Sequence, residues 1–396
     1  MENRLERILN FGHAIDHLVL LIFPTAVIAL AREFNLPYEQ LLPLAFPGFV
    51  AFGVGALPAG CLGDSWGRRP MMLVFFFGTG LACIGIGFAN TPAQLGLALT
   101  VMGAFAAIYH PVGYAILHGL DPKTIGKTMG INGVWGNLGI AFAALIAGAL
   151  TEFISWRAAF IVPGLFCIAG GIAFFQATGA MTKNAAATHL TFTPLTRGML
   201  WRLFLILMAI SLAGTIVFNA TTVVMPKLFE QEIPALALGG TFEIGLAVCA
   251  VFSVAAFAQM YVGGLMDRKP IRDVLVPLAA LQVPFLLLAG YMQSWALIPA
   301  AIFMMFFVFG MVPIGEVMVA RFVDDRFRAR FNAFRFAINC GVGATAVPLV
   351  ALLYGLQQDF TWLFIVLAAG SLASAVVTLW FPRQTLLDQA VLAPQE

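Results

Sequence analysis

Long apolar runs alternate along this chain with short polar breaks. Between Pro70 and Leu120 there is no Asp, Glu, Lys or Arg, and Val274 to Gly315 is equally bare. A helix of roughly 20 apolar residues crosses the hydrocarbon core of a bilayer, so each stretch holds two crossings with a turn between them. Asn90-Thr91-Pro92 breaks the first and Gln293-Ser294-Trp295 the second. A transmembrane barrel would alternate apolar and polar residues in short segments, whereas these runs are continuous. The pattern predicts twelve helices: helices 1–6 near 9–31, 41–62, 70–90, 93–118, 125–150 and 156–178, and helices 7–12 near 200–226, 238–265, 271–292, 295–320, 330–355 and 360–381. The expected fold class is therefore an all-α integral membrane protein.

The pattern also repeats itself. Gly60-Cys61-Leu62-Gly63-Asp64-Ser65-Trp66-Gly67-Arg68-Arg69 sets a carboxylate and two arginines in a very short turn between apolar segments. A weaker copy, Gly263-Gly264-Leu265-Met266-Asp267-Arg268-Lys269, follows about 203 residues later, and the same offset carries Asp121 onto Asp324. A recurrence at half the chain length predicts two related membrane halves. The longest polar interval, Gly179 to Arg197, falls between them. The expected organisation is a six-helix bundle over residues 1–178, a cytoplasmic linker over 179–199, and a second six-helix bundle over 200–396, the two bundles being pseudo-symmetric.

Composition agrees. Of 396 residues, 61% are hydrophobic and 10% charged, against about 25% charged in soluble domains. Twelve crossings put both termini on one side, with 18 of the 21 Lys and Arg residues; only Arg32, Arg157 and Lys227 fall on the other. That asymmetry predicts cytoplasmic termini in an inner or plasma membrane. Ala29-Leu30-Ala31 resembles a signal-peptidase site, but the apolar stretch before it is too long, so helix 1 is read as uncleaved. The five cysteines are scattered singly, in neither a zinc spacing nor a disulfide framework. There is no His-Glu-x-x-His and no P-loop, which argues against an enzyme and against ATP-driven transport.

The Gly60–Arg69 stretch resembles the signature of the loop between helices 2 and 3 in the major facilitator superfamily, and Trp156-Arg157-Ala158-Ala159-Phe160 resembles that superfamily's frequent Trp-Arg at the start of helix 6. Within it, the His13/Asp16 pair, His110-Pro111 and Gly136-Asn137-Leu138-Gly139 are similar to the fosmidomycin-resistance group of exporters. The His-to-Asp spacing is three here rather than that group's four. The arginine that many drug/proton antiporters carry in helix 4 is absent, as is their Gly-Pro motif in helix 5. The resemblance implies the major facilitator fold and a proton-coupled secondary transporter of a small organic solute working by alternating access, in the exporter group by antiport. It implies a conformational gate at Gly60, Asp64, Gly67, Arg68 and Arg69, echoed by Asp267 and Arg268. Asp64 is expected to pair with Arg68 or Arg69. The expected partners are a small-molecule substrate, protons and the bilayer, with no nucleic acid and no cofactor beyond the proton gradient, and the chain is expected to act as a monomer.

Intramembrane ionisable groups cost at least about 2.5 kcal/mol each at a helix centre, so each needs a reason. His13, Asp16 and His17 fall on one stripe of helix 1. Asp16 and His110 sit at similar depth on antiparallel helices 1 and 4, which both line the cavity in the superfamily the chain resembles. An Asp near a His there can exchange a proton; the plain alternative is a bond that only pins the two helices. Tyr109, Trp135, Asn137 and Asn219 are candidate substrate contacts, with Thr221 and Thr222 beside them on helix 7. Glu316 is either a further coupling group or a structural partner of Arg335 or Arg321. A second reading gives His13, Asp16, His17 and His110 to a transition metal or metallophore as cargo, and a third reverses the direction to proton–solute uptake.

Overall fold

The computed structural model describes residues 2–120, 125–179, 195–323 and 325–389. All of it is helical apart from turns, and twelve helices are long and apolar enough to cross a membrane. They are α1 (Arg4–Glu33), α2 (Tyr38–Ser65), α3 (Arg68–Ile86), α4 (Pro92–His118), α5 (Thr128–Phe153), α6 (Trp156–Ala177), α7 (Arg197–Glu232), α8 (Thr241–Met266), α9 (Ile271–Tyr291), α10 (Ser294–Val319), α11 (Phe334–Gln357) and α12 (Thr361–Thr378). Every segment read from the apolar pattern is present. The largest difference is α7, which runs through Pro226 to Glu232: beyond the proline Leu228 and Phe229 are still buried in the core, and Lys227 pairs with Glu230 one turn on. Asp121, Lys123, Lys183 and Asp324 lie outside the described residues, as do the side chains of Lys127, Asp325, Arg326, Arg328 and Arg330.

Local chemistry sets the turns. Thr91 caps α4, its hydroxyl accepting from Gln94 N with Pro92 at the first helical position, and Ser155 caps α6 through Ala158 N. Trp156 Nε1 and Arg157 Nη1 then both donate to Glu33 at the end of α1, at 2.5 and 2.8 Å. The Trp-Arg pair thus ties the start of α6 to the end of α1. Between α2 and α3, Gly67 adopts φ 119° and ψ 148°, a region open in practice only to glycine. Gly67→Ala is expected to cost about 1–3 kcal/mol, read as a lower thermal unfolding midpoint of the detergent-solubilised protein; an unchanged midpoint would refute the strain.

Two faces follow from the topology: one carries the termini and the α2–α3 turn, and the other, here the distal face, carries the α1–α2 and α7–α8 turns. Helices of the two halves meet closely at the distal face. A Cβ on Gly148 of α5 would lie 2.2 Å from Thr241 O of α8, and one on Gly245 of α8 would lie 2.3 Å from Ala144 O of α5. Glu152 caps α8 across this seam, accepting from Thr241 N at 3.0 Å and Thr241 Oγ1 at 3.1 Å. Towards the termini face such crowding is absent at Gly130, Gly133, Gly263 and Gly264, which have nothing within 4 Å of the position a Cβ would take. The backbones of the two halves are in tight contact at the distal face.

Candidate functional site

The polar heart of the first six helices is built by α1, α4 and α5. On α1, Asn10, His13, Asp16 and His17 follow helical spacing, and the first three are buried, Asp16 completely. On α4, Pro111 has no N–H to give to the preceding turn, and the chain answers with a π-type turn over Tyr109–Gly113. Tyr109 and His110 open this turn, and both reach α1.

The contacts form a network. Tyr109 Oη donates to Leu9 O at 2.7 Å. Asn132 Nδ2, from α5, donates to Asn10 Oδ1 at 2.8 Å and to Tyr109 Oη at 2.9 Å. His13 Nδ1 lies 2.7 Å from Asn132 O; a carbonyl only accepts, so this nitrogen carries the proton and Nε2 keeps its lone pair. His17 Nε2 faces His13 Nε2 at 3.1 Å. His110 Nε2 lies 3.4 Å from Asp16 Oδ2. Among the described residues neither Asp16 oxygen accepts a hydrogen bond. A buried carboxylate left without hydrogen bonds is expensive to keep charged, so this site calls for a proton or a cation.

Packing holds the geometry. Tyr109 stacks on the His13 ring at 5.0 Å, and Tyr114 meets His110 edge-on at 5.2 Å. A Cβ on Gly136 would fall 2.6 Å from His13 Cε1, and one on Gly139 would fall 2.1 Å from Ala14 O, so only glycines let α5 pass this close to α1. From the second half, Phe336 lies 4.8 Å from the His110 ring.

Other candidates fall elsewhere. Tyr109 is buried behind His13 rather than free to meet a solute. Asn137 donates to Gln259 Oε1 of α8 at 2.9 Å, crossing between the halves. Trp135 is 37% exposed and enters none of the cluster's ring contacts. Asn219 donates to Thr215 O at 2.8 Å on its own helix, and Thr221 and Thr222 also bond backbone carbonyls one turn back. Glu316 pairs with Arg335, the structural alternative. Asn10, Tyr114, Gln259 and Phe336 escaped the sequence reading; Asn10 and Tyr114 stand one turn from His13 and His110, and that spacing was the available signal.

The gate differs from expectation in its partners. Arg68 Nη1 donates to Ala115 O of α4 at 2.9 Å, and Arg69 Nε donates to Thr178 Oγ1 just past α6 at 3.1 Å, its guanidinium also 5.1 Å from the Phe175 ring. Neither arginine pairs with Asp64, which stays exposed. The reason is electrostatic: the last carbonyls of α4 and the end of α6 lack intrahelical donors and carry the negative end of the helix dipole. Gly60 lies against Pro111 of α4, with Pro111 Cβ 3.5 Å from where its own Cβ would be, and Asp267 and Arg268 are exposed at the end of α8.

A family model described as Major Facilitator Superfamily matches residues 9–272 and 233–391. The chain belongs to the major facilitator superfamily. It is accordingly a multi-pass membrane transporter and not an enzyme. This major facilitator chain is 27% identical over 254 residues to the puromycin resistance protein pur8 of Streptomyces alboniger, a match covering 56% of the chain and 48% of that relative. It is 30% identical over 129 residues to the tetracenomycin C resistance and export protein of Streptomyces glaucescens, covering 31% of the chain and 24% of the relative. The matched stretch therefore spans about half of the first relative's length or less. Among solved structures, a bacterial homolog of the human lysosomal transporter Spinster, in an inward-facing and unoccupied conformation, superposes with a TM-score of 0.70 at 14% identity, over 100% of this chain and 99% of that one. At that identity the likeness speaks for the fold alone.

Proposed function

We propose that this transporter is a proton-coupled exporter of a small organic solute in the inner or plasma membrane. Residues 1–178 and 200–396 act as the two rocking bundles, joined by a linker over 179–199, with both termini cytoplasmic. The carrying observation is Asp16: fully buried, unbonded through either oxygen among the described residues, and 3.4 Å from His110. Such a carboxylate can take up a proton in one state and release it in another, while His13, His17, Tyr109 and Tyr114 surround the exchange. Export is favoured by the resistance and export roles named for the relatives. The 18-to-3 distribution of Lys and Arg favours cytoplasmic termini. On that orientation the tightly packed distal face is the outer one, and Asp64, exposed on the inner side, engages the second bundle when the inner face closes. His13/Asp16, His110-Pro111 and Gly136–Gly139 keep the fosmidomycin-resistance group as the nearest subgroup in this reading.

The test is transport in proteoliposomes. Fosmidomycin, puromycin and tetracenomycin C are offered with a pH gradient imposed in either direction. At least one is expected to accumulate against its own gradient when protons flow the opposite way, and to stop when a protonophore is added. Solute movement indifferent to the pH gradient would overturn proton coupling.

A further inference from the structure

We propose that His13, His17 and His110 form a binding site for one divalent transition-metal ion of the zinc class. One ring nitrogen of each histidine lies within 4.8 Å of the others, in a group drawn from α1 and the π-type turn of α4. His13 and His17 stand one helical turn apart, and their Nε2 atoms are 3.1 Å from each other. Two nitrogens on a tetrahedral ion with bonds of about 2.0–2.1 Å would be about 3.3 Å apart. The two α1 ligands thus already stand at close to chelating separation. His110 needs only a modest approach, and it sits on the one turn of α4 that departs from α-helical geometry.

The surroundings suit a cation as well as the nitrogens do. His13 Nδ1 is committed to Asn132 O at 2.7 Å, the outer contact that fixes a metal-binding imidazole and leaves the lone pair on Nε2, which accepts from His17 Nε2 at 3.1 Å until an ion takes the place of that proton. The ring is held between stacked Tyr109 on one side and the Cβ-less Gly136 on the other. Asp16 sets a carboxyl group 3.4 Å from His110 Nε2 with no hydrogen bond to its oxygens among the described residues, and a bound cation would offset the cost of its charge. Three neutral imidazoles and one carboxylate are a donor set that zinc, cobalt and nickel favour over magnesium or calcium. His13 and His17 are hydrogen-bonded to each other, but the third member of the cluster is not satisfied: buried His110 Nε2 has no hydrogen-bond partner among the described residues.

The site lies wholly within the first six helices and goes beyond proton coupling, since occupancy is measured with no pH gradient and no solute. Full-length protein in nanodiscs, stripped with a chelator, would be titrated with zinc chloride by calorimetry, and with cobalt chloride by visible absorption. The expected result is one ion per chain and the intense visible bands of tetrahedral cobalt. His17→Ala and His110→Ala should each weaken binding by at least roughly 10–100-fold, the range seen even for outer-shell changes. His118→Ala, removing an exposed histidine at the end of α4, should bind as the parent does. Monodispersity and melting without metal report whether each variant folds. If the alanine variants do not fold, His17→Gln and a zinc-dependent, chelator-reversed rise in the melting temperature of the parent protein carry the decision. No bound zinc, no such rise, or binding that survives loss of His17 or His110 would overturn the site. Failure here leaves proton-driven flux to be judged separately, and the converse holds.

Discussion

Asp16→Asn is expected to reduce proton-driven solute accumulation to background while the protein still folds and inserts. The substitution is nearly isosteric, and among the described residues neither Asp16 oxygen gives up a hydrogen bond when it is replaced. An ionised Asp at a helix centre costs about 2.5–3.5 kcal/mol on insertion scales, so the amide should leave thermal stability equal or higher. What it removes is the group able to carry a proton between the two states. The two consequences separate a coupling residue from one that only pins α1 to α4: a pin would lose stability, whereas a coupling group loses flux. Proteoliposomes with a trapped pH-sensitive dye read the proton flux, and counterflow of labelled solute reads movement that needs no net proton transfer. The variant should retain counterflow and lose pH-driven accumulation. Intact proton-coupled flux would remove Asp16 from the mechanism.

Much of this molecule was legible in its apolar pattern, because a bilayer punishes unsatisfied backbone so heavily that continuous apolar runs leave only helices. The ends of those runs were less legible. α7 continues past Pro226 with Leu228 and Phe229 buried, but Lys227 and Glu230 around them end an apolar count early. The meeting of Asp16 with His110 followed from depth alone, since antiparallel helices put residues at equal distance from one face side by side. The π-type turn that aims Tyr109 and His110 did not follow, because Pro111 signals a bend without saying how the backbone absorbs it. Tyr109 looked like a solute contact, but Asn132 and Leu9 O claim its hydroxyl. Arg68 and Arg69 illustrate another limit. Asp64 is their neighbour in sequence, but the Ala115 carbonyl of α4 and the Thr178 hydroxyl just past α6 are neighbours only in space.

Gly148→Val is expected to arrest transport by holding the distal face open. A Cβ at this position would lie 2.2 Å from Thr241 O, and the obstacle is backbone, which cannot swing aside as a side chain would. Gly139 offers the instructive contrast. Its Cβ would lie 2.1 Å from Ala14 O, but α5 and α1 belong to the same half, so bulk there damages the fold itself. The α5–α8 seam joins different halves and must part whenever the distal face opens, so bulk there penalises only the closed state. Overpacking of this kind costs about 1–3 kcal/mol. Conformers of a rocking transporter differ by a few kcal/mol, and every 1.4 kcal/mol shifts their ratio about tenfold. The valine would also disturb the cap that Glu152 provides at Thr241, which strengthens the bias in the same direction. Spin labels at Ile154 and Leu238, both exposed at the distal end, would report a longer distance in the variant. Gly130→Val, where nothing lies within 4 Å, should leave both the distance and the transport rate as they were. An unchanged distance in Gly148→Val, with transport intact, would mean that the α5–α8 contact is not what seals the distal face.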